Sequence, residues 1–126
     1  MISENENIVR IFIEAYNEFD IDSMLELLHS EIEFKNISGG EINAHTRGKV
    51  EFENIAKQSV SLFKEREQKI ISFKESGNKA TVEIEYRAVL TSDISGKLKA
   101  GDSILMNGRS EYQFKDGLIS SLIDES

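Results

Sequence analysis

The C-terminal fifth of the chain constrains the fold more than any other segment. Residues 104–126 alternate apolar and polar side chains over two stretches, which are joined by Lys115, Asp116 and Gly117. A period of two residues is typical of β-strands, and an Asp-Gly pair between two such stretches is typical of a hairpin turn. We therefore predict two long antiparallel strands here. The second strand carries Asp124 near its end.

The period of two extends over most of the second half of the chain. It predicts one strand at 70–74 and another at 80–91, with a turn at 76–78 between them. A polar excursion at 92–99 then leads to a long strand at 101–114. Together with the final strand, this order predicts four consecutive antiparallel strands.

The first half of the chain shows the helical period instead. Ser3 and Glu6 have the spacing of a capping box, in which each side chain satisfies a free backbone N–H at the start of a first helix. Asp20 or Asp22 is placed to cap a second, shorter helix, which we expect to end near His29.

A third helix and one strand complete the first half. Residues 31–37 alternate like a half-buried strand, with Asn36 on the face that points toward the core. Residues 38–48 are predicted to form a polar loop, and the third amphipathic helix begins at Lys49. Helices gathered on one face of a curved antiparallel sheet give an α+β fold.

The composition is that of one acidic domain. The chain has 126 residues, of which 39% are hydrophobic, so it is long enough for one core and short for two. We predict a single domain over residues 1–126. The formal net charge of −8 repels a nucleic-acid backbone or an anionic membrane surface, so neither is predicted as a partner.

Several kinds of site are excluded by residues that the sequence lacks. Without cysteine there is no disulfide and no thiolate nucleophile. His29 and His45 belong to no pattern that places two ligands on one metal, and no glycine-rich phosphate loop occurs, so we predict neither a metal nor a cofactor. No apolar run approaches the roughly 20 residues of a membrane span, and no signal peptide is recognisable, so we expect a cytoplasmic protein.

Alternation along the strands sorts their side chains into two faces. The inward residues are predicted to form the core and the wall of a pocket: Phe12, Tyr16, Phe34, Phe52, Ile55, Val82, Ile84, Tyr86, Ile104, Met106, Tyr112 and Phe114. The outward residues mix both signs of charge: Glu83, Glu85, Arg87, Leu105, Asn107, Arg109, Glu111 and Gln113. Such a face is either solvated or paired with a second copy through cross-strand contacts.

The order of these elements resembles the nuclear-transport-factor-2-like (NTF2-like) superfamily, and within it the SnoaL-like group of polyketide cyclases and ketosteroid isomerases. The matching pieces are the Gly39-Gly40 turn, the Arg47-Gly48 entry to the third helix, and the segments AYNEFDIDSMLELLHSEIEFKN and GRSEYQFKDGLISSLIDES. The resemblance implies a cone-shaped fold, in which a bent sheet wraps around three N-terminal helices and leaves an apolar pocket. It also implies a homodimer that forms through the outer face of the sheet.

Known chemistries of this superfamily match the chain only in part. Where ketosteroid isomerases have a tyrosine, an aspartate base and a protonated aspartate, this chain has Phe12, Asn36 and Ser110. None of these can replace its counterpart in proton transfer or as a strong donor to an oxyanion. The Asp-Arg-Asp set of limonene-epoxide-hydrolase-like proteins also has no clear counterpart.

Polyketide cyclases resemble the chain more closely at the last strand. There the family uses an aspartate as acid and base, and Asp124 stands in the corresponding place, although Ser110 replaces the family's histidine. Asp124 is therefore the candidate catalytic residue, unless it lies solvated in a frayed chain end. Counting alternately, it shares the pocket face with Leu122 and Ser120, and a β-bulge would change that assignment.

Two functions follow as hypotheses. In the first, the pocket binds a small hydrophobic molecule and supports acid-base chemistry of the cyclase or isomerase kind. In the second, the protein is a non-catalytic ligand-binding or dimerisation module. The pocket is predicted from these residues: Phe12, Tyr16, Asn36, Phe52, Tyr86, Met106, Ser110 and Tyr112.

Overall fold

A computed structural model of the chain describes residues 2–93 and 96–126. These residues contain three helices and one six-stranded sheet, so the α+β prediction is confirmed. In chain order the elements are α1 (Glu4–Asn17), α2 (Ile21–Glu26), β1 (Leu28–Ser38), β2 (Glu41–Arg47), α3 (Lys49–Val60), β3 (Phe63–Ser76), β4 (Lys79–Leu90), β5 (Ser103–Lys115) and β6 (Leu118–Glu125). Part of the predicted polar excursion, residues 94 and 95, lies outside the described residues.

The last strand of the chain lies in the middle of the sheet. The strand order is β2-β1-β6-β5-β4-β3, and every neighbouring pair is antiparallel except β1 and β6, which run parallel. Pairing continues to the end of the chain, where Ser126 N donates to Ile37 O at 2.9 Å and Gly39 N donates to Ser126 O at 3.1 Å. The C-terminal strand is therefore fixed on both sides, and a frayed end is excluded.

Helix α1 begins at the predicted residue, but only half of the predicted capping box forms. Ser3 Oγ accepts a hydrogen bond from Glu6 N at 3.0 Å, which satisfies one free N–H of the first turn. The carboxylate of Glu6 does not return to the cap, because it pairs with Arg10 one turn later at 2.8 Å. The buried face of α1 lies against the sheet and includes Val9 and Phe12.

The hydrophobic core lies between the helices and the inward face of the sheet. Most predicted inward residues belong to it: Phe12, Phe52, Val82, Ile84, Tyr112 and Phe114 are buried, while Tyr16, Phe34 and Tyr86 pack against it and are partly buried. Met106 differs from the prediction because 42% of it is exposed. It borders a cavity that no side chain fills, so it lines open space and is not enclosed in the core.

The predicted loop at 38–48 is wrong, since most of it is strand β2. Gly39 and Gly40 both have positive φ, 61° and 82°, and form the turn that reverses the chain from β1 into β2. Strand β2 is the edge of the sheet and is largely exposed, with only Thr46 buried. Its alternation is weak, because every second residue from Ile42 to Thr46 is less polar than its neighbours but only Thr46 of them is buried.

Three element boundaries also differ from the prediction. Helix α2 ends at Glu26, so His29 lies on β1 and does not interact with the end of a helix. Helix α3 ends at Val60, and β3 already begins at Phe63, well before the predicted start at residue 70. The first residues of β3 are mostly charged, so the sequence shows no alternation of apolar and polar side chains there. No helix among the described residues is long and apolar enough to cross a membrane.

The central position of β1 makes its buried side chains a test of this topology. Ile32 on β1 is 0% exposed, so replacing it with Ala is expected to lower the free energy of unfolding by about 2 to 5 kcal/mol, as in other buried Ile sites. Ile42 on the edge strand β2 is 57% exposed, and Ile42→Ala is expected to change stability by about 0.5 kcal/mol or less. Urea denaturation measures both, and equal losses would contradict the proposed strand positions.

Candidate functional site

An open cavity of about 420 Å³ lies between the helices and the inward face of the sheet. Its volume is within the range of small-molecule sites, about 300 to 1,000 Å³. Every residue predicted for the pocket lines it: Phe12, Tyr16, Asn36, Phe52, Tyr86, Met106, Ser110, Tyr112 and Asp124. The fold thus brings the predicted residues together, while their roles toward a ligand stay a prediction.

Aromatic rings form the apolar wall of the cavity. Phe52 on α3 lies between Phe34 on β1, with ring centroids 5.4 Å apart and edge to face, and Phe12 on α1 at 6.5 Å. Phe12 also meets the ring of Tyr112 edge to face at 6.3 Å. Because these rings come from two helices and two strands, their packing fixes the helices over the sheet.

Asp124 lies on the inward face of β6, between the two neighbouring strands. In the sheet register it is opposite Ser110 on β5 and opposite Asn36 on β1. Ser110 Oγ donates to Asp124 Oδ1 at 2.7 Å. Three residues that the sequence places far apart therefore form one polar row across an otherwise apolar wall.

A β-bulge occurs in β6, but it does not turn Asp124 away from the cavity. Opposite β5, Phe114 pairs with Ile119 and Gln113 pairs with Ser121, so Ser120 is the extra residue. The buried Ile119 therefore takes the core face that alternation assigned to Ser120. The register is regular beyond this point, and Leu122 and Asp124 both line the cavity.

The apolar surroundings change the acidity of Asp124. Loss of water around its carboxyl group raises its pKa to about 6, and the hydrogen bond from Ser110 partly opposes this change. Burial also raises the pKa of Tyr112 well above its ordinary value, and the nearby Asp124 charge adds to this effect. At neutral pH the site therefore pairs an ionised carboxylate, weakly stabilised, with a neutral phenol.

Asn36 faces the cavity, as predicted, but it bonds to the neighbouring strand. Its Nδ2 donates to Asn43 Oδ1 on β2 at 2.8 Å. The β1–β2 register shifts next to Asn36, between it and Ile37, and this irregularity brings the two amides together. Asn36 is thus held in place beside Asp124 by β2, and its side chain does not hydrogen-bond to that of Asp124.

A pair of phenols provides a second polar group in the cavity. The hydroxyls of Tyr16 on α1 and Tyr86 on β4 are 2.9 Å apart, so one donates to the other. The accepting hydroxyl keeps its own proton free for a ligand. Burial raises the pKa of both phenols, and the charge of Asp124 raises both further, which places the pair within electrostatic reach of the carboxylate.

Arg66 is a charged cavity residue that the sequence analysis did not identify. It lies on β3 opposite the buried Ala88, is only 5% exposed, and lines the cavity. Burial lowers its pKa below the ordinary value, although the phenols of Tyr16 and Tyr86 oppose this. Arg66 belongs to the charged run 64–67, which is typical of a solvated surface; only the inward alternation of a strand beginning at Phe63 would have identified it.

The two histidines lie on strands and pair with carboxylates on the surface. His45 Nε2 is 2.9 Å from Glu33 Oε2, and His29 Nε2 is 3.4 Å from Asp116 Oδ2. Neither histidine lines the cavity. Among residues 2–93 and 96–126, no group of three or more His, Asp or Glu side chains is arranged to hold a metal ion.

The raised pKa of Asp124 predicts a pH-dependent cost to folding. Its ordinary pKa is 3.8 and the folded value is about 6, so the folded state binds more protons between these values and stability falls as pH rises through them. The penalty is complete above about pH 7 and amounts to roughly 3 kcal/mol, at 1.36 kcal/mol per unit. Asp124→Asn removes it.

The test compares the wild-type protein with Asp124→Asn by urea denaturation at several pH values. The variant is expected to gain stability relative to the wild type between about pH 4 and pH 7, with half of the gain reached about midway between the ordinary pKa of 3.8 and the folded value of about 6. Asp22→Asn is the control, because Asp22 is exposed on α2. A difference between wild type and Asp124→Asn that is constant with pH would contradict the assigned environment.

Solved structures of low sequence identity share this fold. A provisionally named polyketide cyclase from Xanthomonas campestris pv. campestris has a TM-score of 0.82 at 18% identity, over 98% of this chain and 90% of that one. An NTF2-like protein of unknown function from Burkholderia pseudomallei K96243 has a TM-score of 0.80 at 20% identity, with coverage of 98% and 90%. An epoxide hydrolase of Mycobacterium tuberculosis, similar to limonene epoxide hydrolase, has a TM-score of 0.77 at 16% identity, with coverage of 97% and 81%.

The family is established by sequence. No match is found among curated proteins. The model of the SnoaL-like domain, in contrast, matches residues 9–122, which include every element from α1 to most of β6. The NTF2-like resemblance inferred from the segments of the sequence is thereby confirmed, and the chain belongs to the SnoaL-like domain family.

Proposed function

We propose that the cavity binds a small, largely hydrophobic molecule and that Asp124 transfers a proton to or from it. The observation that carries this proposal is the position of one carboxyl group, with a pKa of about 6, in the wall of an otherwise aromatic cavity. A base that titrates close to the working pH is effective, because it is mostly ionised yet still attracts a proton. The chemistry is that of an enzyme of the cyclase or isomerase kind.

The proton donor that suits this base is a carbon next to a carbonyl group. Asp124 Oδ2 has no hydrogen bond from a described residue, whereas Oδ1 is held by Ser110, so Oδ2 is the atom that accepts the proton. The C–H bond breaks, the proton moves to the carboxylate, and the electron pair passes to the carbonyl oxygen as an enolate. The enolate then attacks a second carbonyl group or is protonated at another carbon.

The phenol pair supplies the group that stabilises the enolate oxygen. The free proton of the Tyr16–Tyr86 pair is available for one hydrogen bond to this oxygen. The phenol pair does not occupy the positions that ketosteroid isomerases use. At those positions this chain has Phe12, Asn36 and Ser110. The likeness in fold to a provisionally named polyketide cyclase supports the reaction class only through architecture, since identity is 18%.

Asp124→Asn is expected to abolish proton abstraction while preserving binding. The probe is solvent deuterium exchange at the α-carbon of enolisable aromatic ketones, such as tetralones and indanones, measured by mass spectrometry. Removal of a general base lowers rates by about 100-fold or more. The wild-type rate should rise with pH and level off above about 6, where Asp124 is ionised.

Asp22→Asn is the matched control for this experiment, because it removes an exposed carboxylate outside the cavity. It should exchange deuterium at the wild-type rate. If Asp124→Asn and wild type bind the ketones equally well and exchange them equally slowly, the acid-base proposal is wrong. The protein is then the non-catalytic binding module of the second hypothesis.

The proposed homodimer through the outer face of the sheet is supported by one exposed apolar residue among ion pairs. Leu105 on β5 is 70% exposed, and it pairs in register with Arg87 on β4. Arg87 bonds Glu67 at 2.8 Å, and Arg109 bonds Glu125 at the same distance. Both signs of charge around an apolar centre allow a self-complementary contact with a second copy.

Leu105→Lys tests this dimer. Introducing a charge at the centre of the proposed contact is expected to shift the protein from dimer to monomer in sedimentation velocity. Val50→Lys is the control, because Val50 is 73% exposed but lies on α3, away from the sheet face. A wild-type monomer, or a dimer that both variants preserve, would contradict an interface on this face.

A further inference from the structure

Arg66 is a buried cation without a carboxylate partner. It is 5% exposed, and none of the ion pairs formed by residues 2–93 and 96–126 includes it. Removing a cation from water costs several kcal/mol in proteins, and buried arginines are therefore normally paired with an anion. The folded chain supplies no such anion among its described residues.

The chain compensates this charge only in part. Nε donates to Tyr16 O at 2.9 Å, and Nη1 donates to Ser59 Oγ at 3.2 Å. The guanidinium also lies over the rings of Tyr16, at 3.7 Å from the centroid, and Phe19, at 4.5 Å. These contacts fix the guanidinium plane, but all of them are neutral groups.

One nitrogen of the guanidinium, Nη2, is unpaired among the described residues and is not fully enclosed. Nη2 forms no hydrogen bond with a described residue. Among the described residues, the one side-chain polar atom that is both fully enclosed and without a partner is Thr46 Oγ1. Since Nη2 also has no partner, it is not fully enclosed and keeps some accessible surface. Arg66 is one of the residues that line the cavity.

We propose that Arg66 binds the carboxylate of the cavity's ligand, so that the ligand is a hydrophobic carboxylic acid. The inference rests on the proposed function, which it narrows to a substrate class. A monoanion matches the single unpaired positive charge. The other arginine that borders the cavity, Arg109, is already paired with Glu125 and is about half exposed, so a dianionic phosphate would lack a second cation.

The position of Arg66 also separates the ligand's charge from the catalytic group. Arg66 is opposite Ala88 on β4, whereas Ser110, which holds Asp124, is opposite Val82. These positions are six residues apart, on the order of 20 Å of extended strand. The Tyr16–Tyr86 pair lies within electrostatic reach of both charges. An acid bound at Arg66 thus keeps its charge away from Asp124 and extends its apolar part toward it.

The net charge of −8 does not oppose this arrangement at short range. Charges on the protein surface are screened over about 8 Å at physiological ionic strength. The guanidinium instead acts inside an apolar cavity, where a charge-assisted hydrogen bond is stronger than in water. The surface charge lowers the association rate of an anion more than its affinity.

The experiment measures the affinity of matched acids and amides by isothermal titration calorimetry at about pH 8, where such acids are ionised. The pairs are benzoate with benzamide, 2-naphthoate with 2-naphthamide, and anthracene-2-carboxylate with its amide. The wild-type protein is expected to bind the best acid about 10-fold or more tightly than its amide, as for other charge-assisted contacts. Arg66→Gln should remove this preference, because it lowers the affinity for the acid much more than the affinity for the amide.

Arg66→Lys is the second variant, since it keeps the charge and should retain part of the preference for the acid. Thermal unfolding confirms that each variant is folded. If Arg66→Gln does not fold, the proposal is tested by the ratio of acid to amide affinity in the wild type and in Arg66→Lys. Equal binding of acid and amide by the wild type overturns the role of Arg66 but leaves the proposed function intact. Failure of every acid and every amide to bind overturns both.

Discussion

The parallel pairing of β1 with β6 joins the two halves of this protein. Helices α1 to α3 belong to the half that contains β1 and β2, whereas β3, β4 and β5 form an antiparallel meander. Strand β6 follows the meander in sequence yet hydrogen-bonds to β1 on its other side. This contact places β1 and β2 in one sheet with the meander, and α1 also bonds directly to β3, where Asn17 Nδ2 donates to Gln68 O at 3.2 Å.

The same pairing produces the chemical properties of the site. A carboxylate two residues from the end of a chain is ordinarily solvated, but here β1 and β5 hold it on both sides. Its neighbours across the sheet are Ser110 and Asn36, of which Ser110 alone donates to it. One hydrogen bond does not replace the lost hydration, so burial prevails and the pKa rises to about 6. Arg66, on β3 of the same sheet, is likewise poorly compensated, and both residues line the same cavity.

The sequence predicts those parts of the fold that depend on local periodicity. The alternation in β4 to β6 and the helical stripe of α1 gave the correct faces, and the cavity residues were found because they occupy inward positions. Strand β2 was missed because its alternation is short and only weakly apolar, as most of this edge strand is exposed. Arg66 was missed because a charged run is ordinarily solvated, and only a partner strand such as β4 reveals which of its residues faces inward. Alternation assigned Leu122 and Asp124 to the correct face, but it placed Ser120 wrongly, because the position of the bulge at Ser120 is set by pairing with β5.

The proposed role of Asp124 as a base requires a desolvated carboxyl group whose pKa is raised toward neutral pH. The most direct test is a ¹³C NMR titration of the wild-type protein, in which the carboxyl carbon of Asp124 is assigned by comparison with Asp124→Asn. We expect a midpoint near 6, well above the ordinary value of 3.8. A midpoint close to the ordinary value would show that water reaches the carboxylate. It would contradict both the buried position of Asp124 between β1 and β5 and its proposed role as a base.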